Sequence, residues 1–378
     1  MIRVRACLLA VLALSPLSAA EGLLPLSRQQ EIERLVAQEM SRQNMPGLSI
    51  AVAVNGELAW SAGYGLADLE NFVPAKALTM YRLASVSKPI TAVAVMQLSE
   101  AGKIDLDHSI RRYVPTFPAK PWTITVRQLL GHLGGIRHYE NSEEINSTRH
   151  YPDMLSPLKI FQNDPLVAEP GTRFHYSTYG YVLLGEAVES AAGQRYLDYV
   201  RSRIFVPAGM ERIRQDHVFA LIPNRARGYV INSGGQLQNG SLADTSNKVA
   251  GGGLIGNVED LVHFASAVRA GRLLKSGSVD AMFTQQKTSD GKSSLYGLGW
   301  NVTTSDGSRK LVSHTGGQQG TSTILVMLPR EGVVVAMMAN LEKAQLRELS
   351  TRVVRQLMDL PYSKRKSGEQ LTTTLTAR

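Results

Sequence analysis

Leu83-Ala84-Ser85-Val86-Ser87-Lys88-Pro89-Ile90 opens a run that stays almost wholly apolar to Leu98 and reaches Gly102. Proline suits the first turn of a helix and glycine the position past its end, so the run predicts a buried helix over 88–101. Residues three apart share a helix face, which puts the Lys88 amine beside the Ser85 hydroxyl, and a helix N-terminus favours a developing anion. The same Ser-x-x-Lys spacing recurs at Ser156 and Lys159, Ser289 and Lys292, and Ser363 and Lys366. Ser156 is followed by proline, Ser289 lies in a Ser-Asp-Gly-Lys turn and Ser363 sits in a basic tail. Only Ser85 has a buried helix beneath it. Two readings fit it: a helix-capping serine beside a solvated lysine, or a hydroxyl whose proton passes to a lysine made neutral by burial.

Outward from this run, residues 27–44 carry Ile32, Leu35, Val36 and Met40 at helical spacing, and Met45-Pro46-Gly47 breaks the pattern. Strand-like runs at 48–54 and 57–64 flank Asn55-Gly56, a strong hairpin signal because both residues tolerate positive φ. Near the other end, 310–314, 321–328 and 332–339 read as strands, with a turn at Arg330-Glu331-Gly332, and 343–360 as a last helix. Between lie helical patterns at 88–101, 125–132, 179–192, 195–204 and 258–270. The expected fold is α/β of the α+β kind: an antiparallel sheet of about five strands built from both chain ends and flanked by terminal helices. A mostly α-helical domain is inserted, with a cleft at the junction. The expected divisions are 21–84 with 271–362 for the sheet domain and 85–270 for the helical one.

With 43% apolar and 19% charged residues among 378, the chain can bury a large core. Residues 1–20 read as a signal peptide: Arg3 and Arg5, an apolar run over 6–14, then Ser18-Ala19-Ala20. Export to the periplasm or outside the cell is expected, and the run is too short for a stable membrane span. Cys7, the only cysteine, lies in that segment, which excludes disulfides and cysteine nucleophiles from the mature chain. Of the formal +9, Arg3 and Arg5 account for two, leaving +7. The tail after Pro361 holds four cations against Glu369, which leaves about +4 on the body. No aromatic-interleaved basic stripe accompanies that charge, so nucleic acid is not an expected partner. The tail, 363–378, is polar and Thr-rich and is expected to be disordered. Gly251, Gly253 and Gly256 fit G-x-G-x-x-G, but no strand leads in and no acid follows about 20 residues on. The histidines lack metal-ligand spacing, and His132 with His138 reads as local packing or loop hydrogen bonding. No cofactor and no metal are expected.

Two further stretches carry chemistry. Phe174-His175-Tyr176-Ser177-Thr178 offers the phenol of Tyr176 as a proton carrier if cationic neighbours lower its pKa. Ser313-His314-Thr315-Gly316-Gly317, at the end of a short strand, joins an imidazole, a hydroxyl and two glycines. The glycines let a substrate lie against the strand edge, where the backbone N–H of Gly317 and that of Ser85 form an oxyanion hole.

The ordered set Ser85-x-x-Lys88, Tyr176-Ser177-Thr178 and His314-Thr315-Gly316 resembles the three motifs of serine β-lactamases of the class C type and their D-alanyl-D-alanine carboxypeptidase and esterase relatives. Met45-Pro46-Gly47, Gly251-Gly252-Gly253-Leu254, Asp260-Leu261 and Tyr296-Gly297-Leu298-Gly299-Trp300 follow the same family order. In Ala84 to Lys88, His132 to Glu140 and the second and third motifs, the chain looks most like the mitochondrial-type serine β-lactamase-like branch, which is classed as a peptidase. The resemblance implies Ser85 as nucleophile, Lys88 as its base or electrostatic activator, Tyr176 as second proton carrier, and Thr178, His314, Thr315, Gly316 and Gly317 facing the substrate. Either Lys88 or Tyr176 can be the base. It implies a peptide, D-amino-acid amide or ester substrate, with a D-alanyl-D-alanine carboxypeptidase and a non-catalytic binding or assembly module as alternatives; it leaves oligomeric state open. Two positions depart from the family pattern. Thr178 stands where class C enzymes usually have asparagine, and His314 where lysine is frequent. With an unperturbed pKa near 6.5, His314 either binds a carboxylate as imidazolium, weakening above that pH, or only orients its loop.

Overall fold

The computed structural model describes residues 24–358 apart from Asp306. The expected signal segment and the tail at 363–378 lie outside the described residues. The longer helices are α1 (Leu26–Gln43), α2 (Ser87–Glu100), α3 (Thr178–Ala192), α4 (Val258–Arg269) and α5 (Leu346–Leu357). The main sheet has strands β1 (Gly47–Val54), β2 (Glu57–Asp68), β3 (Val73–Pro74), β4 (Asn301–Ser305), β5 (Arg309–Gln318), β6 (Thr321–Leu328) and β7 (Val333–Ala339).

The strands lie in the order β3-β2-β1-β7-β6-β5-β4 and pair antiparallel. Five of them are the expected ones; β3 and β4 add an edge strand on each side. Asn55 (φ 56°) and Gly56 (φ 85°) make the turn between β1 and β2, both left-handed, which matches the right-handed strand twist. The two chain ends meet where β1 pairs β7, Leu48 opposite Ala339 and Ala53 opposite Val334.

Alternation decides which layer each side chain joins. Leu48, Ile50 and Val52, with Val335 and Met337, pack with Ile32, Leu35 and Val36 of α1 and Leu349 and Val353 of α5. Ala51 and Ala53, with Val334, Ala336 and Met338, share the other core with α2, α3 and α4. The sheet is thus sandwiched, and each large apolar side chain so buried contributes about 1.5–3 kcal/mol. Helix α4, expected within the inserted helical region, lies on β1, β2 and β7 and covers the sheet.

Strand β5 is longer than its sequence pattern suggests. The alternating run stops near His314, yet β6 pairs with β5 as far as Gln318 opposite Thr321, so the ladder carries the glycines along. On the other side, the β4 pairing ends at Ser313 opposite Asn301. Residues 314–318 therefore form a strand edge that β4 does not cover, beside the turn that bears Ser85. Among the described residues no helix is long and apolar enough to cross a membrane.

Candidate active site

Ser85 stands in a single 3-10 turn, Ala84–Val86, that leads into α2. Its neighbour Ala84 is left-handed (φ 48°), a conformation that costs a non-glycine residue on the order of 1 kcal/mol. Packing holds it there, with the Leu83 N–H donating to the Leu254 carbonyl at 2.8 Å. No side chain caps the N-terminus of α2, so the structure does not use Ser85 as a cap. The hydroxyl instead faces Lys88.

Lys88 is fully buried. Its Nζ lies 3.1 Å from Ser85 Oγ, 3.0 Å from Thr178 Oγ1 and 2.7 Å from the Gly251 carbonyl. Burial, reinforced by the like charge of Lys248, holds the amine well below the ordinary lysine range. A neutral amine has two hydrogens and one lone pair. In that form Gly251 and Thr178 can accept both hydrogens, leaving the lone pair for Ser85; as a cation the amine donates to all three. Only glycine fits at 251, where a Cβ would sit 2.7 Å from Thr178 Cγ2.

The second motif is fastened by backbone and histidine contacts. Ser177 caps α3, its Oγ accepting from the Gly180 N–H at 3.0 Å and donating to the Arg137 carbonyl at 2.7 Å. The N–H groups of Ser177 and Thr178 donate to Nδ1 of His132 and of His138, each at 3.2 Å. Both rings are neutral acceptors: burial pushes His138 down to about 3 and His132 well below the usual imidazole range. The Tyr176 phenol is turned toward the Ser85 side chain. Its ring centroid lies 4.3 Å from that of His132 and 4.9 Å from Lys88 Nζ. Burial raises the phenol above its ordinary value, so Tyr176 keeps its proton at neutral pH. The expected lowering by cationic neighbours is reversed, because desolvation outweighs the near-neutral lysine.

In the third motif, Gly316 is where β5 touches the nucleophile turn. A Cβ there would lie 2.4 Å from the Leu83 carbonyl oxygen and 3.2 Å from the Ser85 nitrogen. At Gly317 a Cβ would point into open space. His314 is buried, with Nδ1 donating to the Thr315 carbonyl at 2.7 Å and Nε2 accepting the Tyr296 phenol at 2.9 Å. Burial pushes its imidazole down to about 3. Of the two readings of His314, these contacts favour the ring that orients its loop, neutral and turned into the protein, over an imidazolium for a substrate carboxylate.

Lys88 therefore contacts Ser85 and Thr178 and lies beside the Tyr176 ring, Gly316 abuts the Ser85 turn, and His314 supports the strand from within. Sequence reading passed over the Gly251 carbonyl as a lysine ligand, Tyr296 as the partner of His314, and Lys248. The triple glycine at 251–253 was visible; Lys248, just before it, looks like any surface cation. Among the described residues no cluster of three or more His, Asp or Glu side chains is arranged to hold a metal ion. A cavity of about 550 Å³ lined by Arg82, Asp216, Arg225 and Gln319 adjoins the site without including Ser85.

The Beta-lactamase family model matches residues 32–358. The human mitochondrial serine beta-lactamase-like protein LACTB is 31% identical over 82% of this chain and 76% of its own length. Penicillin-binding protein 4* of Bacillus subtilis is 30% identical over 74% of this chain and 64% of its own. Among solved structures, the D-amino acid amidase of Ochrobactrum anthropi, complexed with L-phenylalanine amide, superimposes with a TM-score of 0.77 at 25% identity, covering 88% of this chain and 99% of that one. The octameric penicillin-binding protein homologue from Pyrococcus abyssi has the same fold, with a TM-score of 0.77 at 24% identity over 88% of this chain and 78% of that one. A serine and a tyrosine around a buried lysine at a glycine-edged strand, on a sheet closed by both chain ends, thus come with a family match over nearly all described residues: the chain belongs to the β-lactamase family.

Proposed function

We propose that the chain is a serine hydrolase that cleaves an amide or ester bond through an acyl-Ser85 intermediate. One observation carries this reading: the buried Lys88 amine, 3.1 Å from Ser85 Oγ, has its other contacts at Thr178 and Gly251. An amine so placed is a base toward Ser85. Ser85 Oγ adds to the substrate carbonyl carbon as its proton passes to Lys88 Nζ, and the carbonyl electron pair moves onto oxygen. The backbone N–H groups of Ser85 and Gly317 are assigned to that oxyanion. Collapse breaks the bond to the leaving nitrogen or oxygen, which takes a proton from Tyr176, and Lys88 returns its proton to the phenol. Water then attacks the acyl carbon, its proton going to Lys88, which passes it to Ser85 Oγ as the acyl C–O bond breaks. Tyr176, held protonated by burial, is the acid in this scheme.

The substrate class inferred is a short amide or ester of the amino-acid or peptide kind. The uncovered edge of β5 offers backbone groups to an extended substrate. The neutral His314 supplies no charge for a terminal carboxylate. The amidase whose fold this chain shares supports an amide over a carboxylate-ended peptide. Thr178, with a hydroxyl in place of an amide, makes efficient β-lactam hydrolysis the weaker activity. Residues 1–20 are proposed to direct export, although LACTB is named as mitochondrial.

The test compares wild type with Ser85→Ala on D- and L-amino-acid amides, short-chain esters, a peptide ending in D-Ala-D-Ala and penicillins. Turnover of amides or esters that Ser85→Ala abolishes, with a fluorophosphonate adduct on the Ser85 peptide, is the expected result. D-alanine release as the dominant activity would instead assign a carboxypeptidase. No adduct with any probe would leave a binding module.

A further inference from the structure

Lys248 is the second lysine sealed inside this fold, only 2% exposed, in the turn Thr245–Lys248 that runs into the glycine segment carrying the Gly251 carbonyl. Its Nζ donates to the Ile145 carbonyl at 2.9 Å and lies 5.1 Å from the ring centroid of Tyr139. Three residues on, the Gly251 carbonyl accepts from Lys88 Nζ at 2.7 Å. The turn that holds Lys248 therefore runs directly into the carbonyl that binds the amine facing Ser85.

Resting on the reading of Lys88 as base, we propose that Lys248 is a positioning residue, supplying from the glycine-segment side the fixed positive charge that keeps the Lys88 amine unprotonated and so free to accept the Ser85 proton. The third motif does not supply that charge, since the His314 ring is neutral and bonded to Tyr296. Lys248 touches no reacting atom; it acts on Lys88 by repulsion across a dry interior, where a like charge disfavours protonation.

The groups around Lys248 leave its charge largely uncancelled toward Lys88. Arg82 and Asp216 act on it from the far side, and they are paired with each other at 2.7 Å, with Arg225 on the second Asp216 oxygen at 3.2 Å. Glu144, near Ile145, spends its carboxylate on Arg137 and Tyr179. Asp244 of the same turn is held by His150. His138, which also feels Lys248, is neutral. Around Lys88 itself stand Tyr176, Tyr181, His132 and His314, all uncharged at neutral pH. Burial lowers Lys248 to about 8, so it carries its charge through the neutral range.

The test is the pH profile of kcat/KM on an ester, with the fluorophosphonate labelling rate measured in parallel, for full-length wild type, Lys248→Met, Lys248→Gln and Lys248→Arg. Loss of the charge lets Lys88 hold a proton to higher pH, so the acidic limb should move up by about one pH unit in the Met and Gln variants. The Arg variant should keep the wild-type limb. A lower plateau with an unmoved limb in folded Met or Gln protein would make Lys248 merely structural and overturn the inference. A second measurement needs no variant. In wild type with 13Cε-labelled lysine, the Lys88 resonance should show an inflection at the midpoint of Lys248, and its absence would equally overturn the proposal. An inert wild type that Ser85-directed probes do not label would instead sink the hydrolase reading, and this inference with it.

Discussion

His314 Nε2 lies 2.9 Å from the Tyr296 phenol oxygen, and this pairing fixes the tautomer of the third motif: Nδ1 carries the hydrogen and gives it to the Thr315 carbonyl. Both ring nitrogens are thereby occupied inside the protein. The residue organises the strand that Gly316 and Gly317 present to the cleft.

A neutral His314 makes a pH prediction with a definite sign. Its folded-state value, pushed down to about 3, lies below that of free imidazole near 6.5, so between these values the unfolded chain binds the extra proton. Stability should be complete above pH 6.5 and fall as pH drops toward 3, by at most about 1.4 kcal/mol per unit for each such histidine. His138, also about 3, adds to the slope. Urea midpoints between pH 7 and 5 check this, and His314→Gln should flatten the dependence. An unchanged slope in that variant would assign the effect elsewhere. KM for an acidic-ended peptide should meanwhile show no rise at pH 6.5.

Gly316→Ala should nearly abolish turnover. The added carbon meets main-chain atoms, the Leu83 carbonyl oxygen and the Ser85 nitrogen, rather than a side chain that can swing away. Either β5 or the nucleophile turn must move by several tenths of an ångström. Overpacking of this kind costs about 1–3 kcal/mol of stability, while misplacing Ser85 should lower kcat/KM by about 100-fold. Gly317→Ala, where the new carbon points into open space, is the control: its folding midpoint should stay within about 0.5 kcal/mol of wild type.

Much of this architecture could be read from residues alone, because its signals are local. Asn55-Gly56 declares a hairpin, the apolar run after Ser85 declares a buried helix, and Ser-x-x-Lys puts two side chains on one face. The continuation of β5 through Gly316 and Gly317 was not legible, since those residues have no strand propensity and are held by β6, whose contribution is a pairing between distant segments. Charge states stayed open for a related reason. Tyr176 and His314 were read beside their sequence neighbours, whereas burial among His132, Tyr296 and α3 decides their protonation. Lys248 was invisible because nothing near it in the chain indicates that Tyr139 and Ile145 will enclose it.

Thr178→Val tests the hydrogen-bond account of Lys88. Valine keeps the shape of threonine but leaves one Lys88 hydrogen without its partner. An unmatched buried donor costs about 1–3 kcal/mol. The freed amine also loses its orientation, so the acylation rate should fall roughly 10- to 100-fold, and Thr178→Ser, which keeps the oxygen, should restore most of it. Equal acylation by the Val and Ser variants would show that the Gly251 carbonyl alone holds the lysine.

Tyr176→Phe separates the two proton carriers. Burial keeps the phenol protonated, so its loss should not remove the base that activates Ser85; it should remove the acid that serves the leaving group. An amide leaves as a poor anion and depends on that proton, whereas a nitrophenyl ester does not. The Phe variant should therefore lose about 100- to 1,000-fold in kcat on an amide and less than about 10-fold on the activated ester, with the acidic limb set by Lys88 unmoved. Stopped-flow acylation on the two substrates measures the split. An equal loss on both would hand the base role to Tyr176 and leave Lys88 as an electrostatic support.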